Sequence, residues 1–380
     1  RVTDAHDRVT VNAILKMVYT ESILEDGYAL SASGTYVAPP KGTSLDGTLD
    51  YVKSLPLIAS PEVFGLHENA DISKDQQEAT LMLSTILATQ GSGGGGGGAS
   101  VDEVVEENAR ALLDGMPEPF DIERIQAKYP VMYEESLNTV LAQECIRFNR
   151  LIIVIRDSLA NVLKALKGTV VMSADLELVA KAVYDGKLPA MWAKASYPSM
   201  KPLSSYVAEL LERLQMLQSW YDVGPPPVFW LSGFYFTQAF LTGALQNYAR
   251  RNKLPIDEVA FDFEFPSEDD FTEGPEDGVY VRGPYLEGCS WDKTRCELTE
   301  SSPKVLHVPM AIIWMRPKRK QDLSVFPHYE APLYKTSERR GILSTTGHST
   351  NFVLDIRLPT SLKADHWVRR GVALIGSLDD

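Results

Sequence analysis

His348 and Ser349 stand side by side in TTGHSTN, an imidazole base next to a hydroxyl nucleophile. A nucleophilic serine needs a base delivered by tertiary folding and donors for an oxyanion, and adjacency specifies neither. Thr345, Thr346, Gly347 and Asn351 are also good turn formers, so the stretch reads as a structural turn. Cys289, Cys296 and His307 offer three zinc ligand types but lack the paired CxxC knuckles of a zinc site. Glu268, Asp269, Asp270, Glu273, Glu276 and Asp277 offer oxygen ligands without the alternating spacing of a calcium loop, and read as a solvated acidic loop. Six glycines, Gly93 to Gly98, invite comparison with a phosphate-cradling loop, yet a Walker loop continues with Lys and then Ser or Thr. The only Gly-Lys pair, Gly186-Lys187, is followed by Leu188. The aromatic set Phe229, Trp230, Phe234, Tyr235, Phe236 and Phe240 could wall a ligand pocket, but its density suits a protein core better. No catalytic, cofactor-binding or metal-ligating residue is assigned on these grounds.

The elements that must position these residues divide the chain near residue 256. Before it the pattern is helical. Asp4 is a fitting N-cap for an amphipathic helix carrying Val9, Val11, Ile14, Leu15, Val18 and Ile23. The spacing predicts a short helix over 45–55, stopped by Pro56, and another over about 73–87. GSGGGGGGAS, residues 91–100, reads as a flexible linker and a domain boundary. The clearest helix runs over 137–166, with apolar residues at threes and fours from Leu137 to Leu166 and Gly168 beyond its end. Helices over 174–184 and 203–221 follow. Pro225, Pro226 and Pro227 then forbid continuation, and a further helix is expected in the aromatic-rich run from Phe229 to Leu245, with Arg250, Arg251 and Lys253 suiting its negative end.

From Val259 the pattern changes. Val259, Phe261, Phe263 and Phe265 alternate with Ala260, Asp262 and Glu264, the period of a half-buried strand. Further short runs, GVYVRG, HVPMAIIWM, EAPLYK, NFVLDIRL and GVALIGSL, lie between Gly, Pro, Ser and Asp clusters. The reading is α+β, with strands closing as a compact antiparallel barrel or sandwich.

Composition narrows the partners. The net charge of −14 argues against nucleic acid, an anionic membrane or an acidic filament surface as the main partner. Three cysteines, Cys145, Cys289 and Cys296, suit a reducing compartment. Ser232, Thr237, Gln238, Thr242, Gln246 and Asn247 interrupt the apolar run after the prolines, so it reads as a buried helix and not a membrane span. The chain opens at Arg1 inside a helix entry and is expected to be a piece of something longer.

FWLSGFYFTQAFLTGALQNYARRNKLPIDEV closely resembles the C-terminal region of dynein heavy chains. RVTD, SGTYVAPP, YVKSLPL and SPEVFGLHENADIS resemble the helical lid of the sixth AAA+ module of that family. ECIRFNRLI, GTVVMSADLE and LPAMWAKASYPSMKPLSSYV resemble its C-terminal helical domain, and PEDGVYVRGPYLEGCSWD its terminal β-domain. APLYKT, STTGHSTNFV and WDKTRCELTESSPKVL look like the axonemal branch. The likeness leaves out chiefly the glycine run and the acidic loop at 266–277.

The resemblance implies a helical lid at 1–90, the linker at 91–100, a helical domain at 101–256 and a β-barrel at 257–380. It implies the non-catalytic end of an ATP-driven, minus-end-directed microtubule motor of cilia and flagella, without enzyme activity or cofactor of its own. ATP and Mg would act elsewhere in the parent, and the microtubule would be met only through the parent's stalk. The implied partners are the AAA+ ring of the same chain, other dynein subunits and axonemal neighbours, with no nucleic acid and no membrane. Two roles remain open: tuning of the ring's coupling, force or processivity, or docking of neighbours. An arginine in an AAA+ lid can face a neighbouring nucleotide, but no such role is assigned to Arg1.

Overall fold

The computed structural model describes residues 4–90, 100–339, 341–342 and 348–379. Arg1 and the glycine run Gly93–Gly98 lie outside the described residues, and so does most of the expected linker. The lid part opens with α1 (Ala5–Val18), where the Asp4 side chain accepts the backbone N–H groups of His6 and Asp7 as the expected N-cap. α2 (Leu45–Ser54) is capped by Ser44 and ends before Pro56, and α3 (Asn69–Gln90) starts earlier than expected. Ile23 falls in a separate 3-10 turn, Glu21–Leu24.

The helical part comprises α4 (Val101–Gly115), α5 (Ile122–Lys128), α6 (Ser136–Leu166), α7 (Ala174–Tyr184), α8 (Ala190–Lys194), α9 (Leu203–Val223) and α10 (Thr237–Arg251). Ser100 and Glu103 form a reciprocal capping box that starts α4. α6 is the central rod, with Leu141, Cys145, Phe148, Leu151, Ile152, Ile155, Leu159 and Val162 at zero exposure, and α4, α5, α7, α8, α9 and α10 all pack on it.

The segment after the prolines differs from expectation. Val228–Trp230 is a strand, β1, and α10 begins only at Thr237. Three prolines hold the approach extended, and Val228, Phe229 and Trp230 favour strands, so the chain joins a sheet before it turns helical.

The remaining strands are β2 (Val259–Glu264), β3 (Val279–Arg282), β4 (Tyr285–Glu287), β5 (Ser290–Asp292), β6 (Glu297–Thr299), β7 (His307–Pro309), β8 (Ile313–Arg319), β9 (His328–Thr336) and β10 (Phe352–Pro359). The helix α11 (Ala364–Arg370) and β11 (Ala373–Ser377) complete the order. They form two open sheets, β1-β3-β8-β2 and β10-β9-β11-β4-β7, and a β5-β6 hairpin. The expected closed antiparallel barrel is therefore corrected: among the described residues no closed barrel exists. Two pairings are parallel, β1 with β3 and β11 with β9. α11 carries the backbone over from β10, so that β11 inserts between β9 and β4 instead of closing an edge. α10 packs on β2 and β8, so apolar residues such as Phe261, Phe263, Ile313 and Met315 bury in one core with α6 and α10 rather than in a lumen. That core crosses residue 256 without a break, while the lid contributes Ala13 to it.

Candidate functional site

The lid meets the sheet part along a polar seam, and several residues singled out in the sequence lie on it. The Asp4 carboxylate that caps α1 also accepts the Ser349 backbone N–H at 2.9 Å. His6, in the first turn of α1, places Nε2 3.4 Å from Asp355 Oδ1 on β10. Its ring lies 5.0 Å from that of His348, which stacks on Phe352 with centroids 4.5 Å apart. Lys16 pairs with Asp365 of α11 at 3.0 Å. At the other end of the lid the buried Asn69 amide donates to the carbonyls of Ser302 and Val305 and accepts the Lys304 N–H at 2.7 Å. Arg370 donates to the Gly65 carbonyl, and at φ +79 Gly65 sits so close to Arg369 that a Cβ there would lie 2.9 Å from it.

His348 and Ser349 thus serve as a turn at an interface. The Ser349 hydroxyl accepts the Asn351 N–H at 3.2 Å, and the His348 ring is occupied by aromatic neighbours. Thr345, Thr346 and Gly347 lie outside the described residues.

The other candidates are scattered. Cys145 is buried in α6, and burial pushes its thiol up to about 12. Burial likewise raises the Cys289 thiol, whereas Cys296 sits half-buried in the β5–β6 turn with its Sγ toward the Phe265 carbonyl, and His307 begins β7. Among the described residues no group of three or more His, Cys, Asp or Glu has metal-holding geometry. In the acidic loop Asp269 pairs with Lys293 at 2.7 Å and Asp277 with Arg251 at 3.1 Å, while Glu268 and Glu273 face solvent. Of the aromatic set, Phe229, Phe234 and Phe240 form a stacked core cluster, Phe234 on Phe240 at 4.2 Å, while Phe236 is exposed.

Sequence reasoning missed three buried polar nodes. Glu144 on α6, with no exposure, accepts the backbone N–H groups of Tyr235 and Phe236 and so satisfies the start of α10, which has no cap of its own. Burial raises its carboxyl despite those bonds and the Arg147 charge. Arg213 pairs with Glu209 one turn before it on α9 and lies 3.8 Å above the Tyr197 ring, with Ser377 donating to Glu209 at 3.1 Å. Asp262 on β2 is held by Lys318, Arg357 and Ser324. The half-buried alternation set Asp262 on the polar side of VAFDFEF beside Ala260 and Glu264, so nothing in the strand's own pattern marked it as buried.

No helix among the described residues is long and apolar enough to cross a membrane. Comparison with known proteins matches residues 1–70 to the family model for the AAA lid domain of the dynein heavy chain, and residues 76–376 to the model for its C-terminal domain. The sequence is similar to human dynein axonemal heavy chain 3, with 52% identity over 384 residues, to human dynein axonemal heavy chain 12 at 50% over 382, and to human dynein axonemal heavy chain 1 at 47% over 381. Each alignment covers all of this chain, which spans only 9 to 12% of the length of these relatives. With two family models matching nearly every residue between them and the relatives aligned from end to end, the chain belongs to the dynein heavy chain family.

Proposed function

We propose that this chain is the non-catalytic C-terminal part of an axonemal dynein heavy chain, a minus-end-directed microtubule motor of cilia and flagella. In this reading it packs on the AAA+ ring of the same heavy chain and biases its conformations, and thereby force or processivity. ATP and Mg are handled elsewhere in the parent, and this part has no catalytic residue or cofactor of its own. The lid at 1–90, the linker at 91–100 and the region 101–380 are the working units, the helical part (101–256) and the sheet part (257–380) acting together because they share one core.

One observation carries the reading. α1 and α2 leave Val9, Leu15, Leu45, Leu49 and Val52 exposed, with Leu57 and Ile58 just beyond, while the lid buries few apolar residues of its own. Apolar surface on this scale in so small a unit needs a cover, and most of the length of the relatives lies outside the matched segment to provide it. Coupling then follows if the covered surface differs between ring states.

A second reading, a docking module for axonemal neighbours or other dynein subunits, rests on a groove of about 1060 Å3 between α9 and the two sheets, with Met216, Trp220, Val223, Trp230 and Leu378 along it.

The test compares ATPase rate and microtubule gliding of the parent motor with and without residues 101–380, the lid kept. Loss of both is expected, and unchanged motility would transfer the role to docking.

A further inference from the structure

The seam between lid and sheets contains one cluster whose buried polar atoms are not satisfied by hydrogen bonds. Among the described residues, His6 Nε2, His348 Nδ1 and Asp355 Oδ1 are each buried without a hydrogen-bond partner, although they come from α1, the loop before β10 and β10 itself. An unpartnered buried polar atom costs about 1–3 kcal/mol, and three in one place need a reason. Their chemistry supplies it. An imidazolium beside a carboxylate makes an ion pair, and His6 is already 3.4 Å from Asp355. With neutral imidazoles the same carboxylate is left in the seam without a cation.

The groups facing the cluster from each packed element favour the cation. α1 brings Asp4 and Asp7, β9 brings Glu330 and the Tyr334 ring 6.5 Å from His6, and β10 brings Asp355. The nearby cation Arg339 is paired with Glu287. The carboxylates therefore outnumber the two imidazoles, and the one arginine at hand already has a partner. The two rings are only 5.0 Å apart, so a second proton would be repelled by the first. We propose that His6, His348 and Asp355 form a proton-linked latch that holds the first lid helix on β10, closed when one imidazole is protonated and loosened when both are neutral.

Asp355 fits the same direction. Burial raises its carboxyl, His6 pulls it back, Glu330 adds to the rise and His348 opposes it. A raised carboxyl stabilises the docked state fully at low pH and loses that contribution as pH rises through the docked-state value. Histidine side chains in general change charge between about pH 5 and 8, which sets the window for the test.

The test is amide exchange of Ala5–Val18 in the intact heavy chain at about pH 6 and about pH 8, corrected for the intrinsic rate, with α6 as internal reference. Protection of α1 should fall by about five- to tenfold at the higher pH while that of α6 holds. His6→Gln should reduce protection at the lower pH to the high-pH level. Asp355→Asn should flatten or invert the response, since it leaves imidazolium without its anion, and this variant decides the matter if His6→Gln does not fold. Equal α1 protection at both pH values, a parallel fall in α6, or a full response retained in Asp355→Asn would overturn the latch.

Discussion

Asp262 keeps its charge at zero exposure because β2 pairs with β8 in a register that sets it opposite Arg316, with the next-but-one pair bringing Ala260 opposite Lys318. Lys318 Nζ at 2.7 Å, the Ser324 hydroxyl and the Arg357 guanidinium then converge on its two oxygens. Burial works against the charge, but the Lys318 and Ser324 bonds outweigh it and hold the carboxyl below its usual range. Asp262→Ala takes the carboxylate from Arg357 and leaves Lys318 only Glu264, at 3.7 Å, as an anionic partner, and the expected cost is about 3 kcal/mol, read as a lower urea midpoint. Because the folded-state carboxyl is depressed, its contribution is complete above the ordinary value of ~4 and is lost as pH falls through the lower folded value. The gap between wild type and variant should therefore close in acid and stay constant around neutrality. Glu144 has the opposite tendency, raised by burial although it accepts two backbone donors and pairs with Arg147 at 3.0 Å.

At the scale of elements, the sheet part depends on a few backbone positions where side chains have no room. Gly278 precedes β3 at φ +78, and a Cβ there would meet the Met315 carbonyl at 2.2 Å and Pro317 at 2.6 Å. The clash is with backbone of the paired strand, which cannot rotate away. Gly278→Ala is expected to cost at least about 1–2 kcal/mol for the left-handed conformation alone. It should also raise exchange at the β3–β8 amides, where Val279 pairs with Met315, more than in α6. The helices were easier to anticipate than this. α6, α7 and α9 follow apolar spacing that a local window records, whereas β1 hides in an aromatic run that reads equally as helix until its distant partner β3 claims it.

For the whole molecule, the lid is attached mainly by hydrogen bonds and ion pairs rather than by a shared apolar core. Asn69 is the most connected of these points, with three bonds to the 302–305 loop. Asn69→Ala leaves a donor and two acceptors without their partner, so docking of the lid should weaken by about 1–3 kcal/mol, which is roughly five- to 150-fold in the open population. Amide exchange at the start of α3 and at 302–305 should rise accordingly, with the unfolding midpoint of the α6 core almost unchanged. A lid that can loosen while the core stays folded is also what a ring-biasing role requires.

The kinds and approximate limits of most elements were legible before any fold was known, because apolar periodicity, caps, prolines and glycines act within a few residues of one another. The family was legible too, through motifs spread over most of the 380 residues. How the strands close and which polar side chains meet became visible only in three dimensions. The sheets stay open, with α10 packed on β2 and β8 and the α11 crossover delivering β11 between β9 and β4, and no strand reports its own neighbour. His6 and Asp355 meet across most of the sequence, and Asn69 meets Lys304 across more than half of it. Such partnerships depend on how whole elements pack, and the spacing of residues along the backbone holds no record of it.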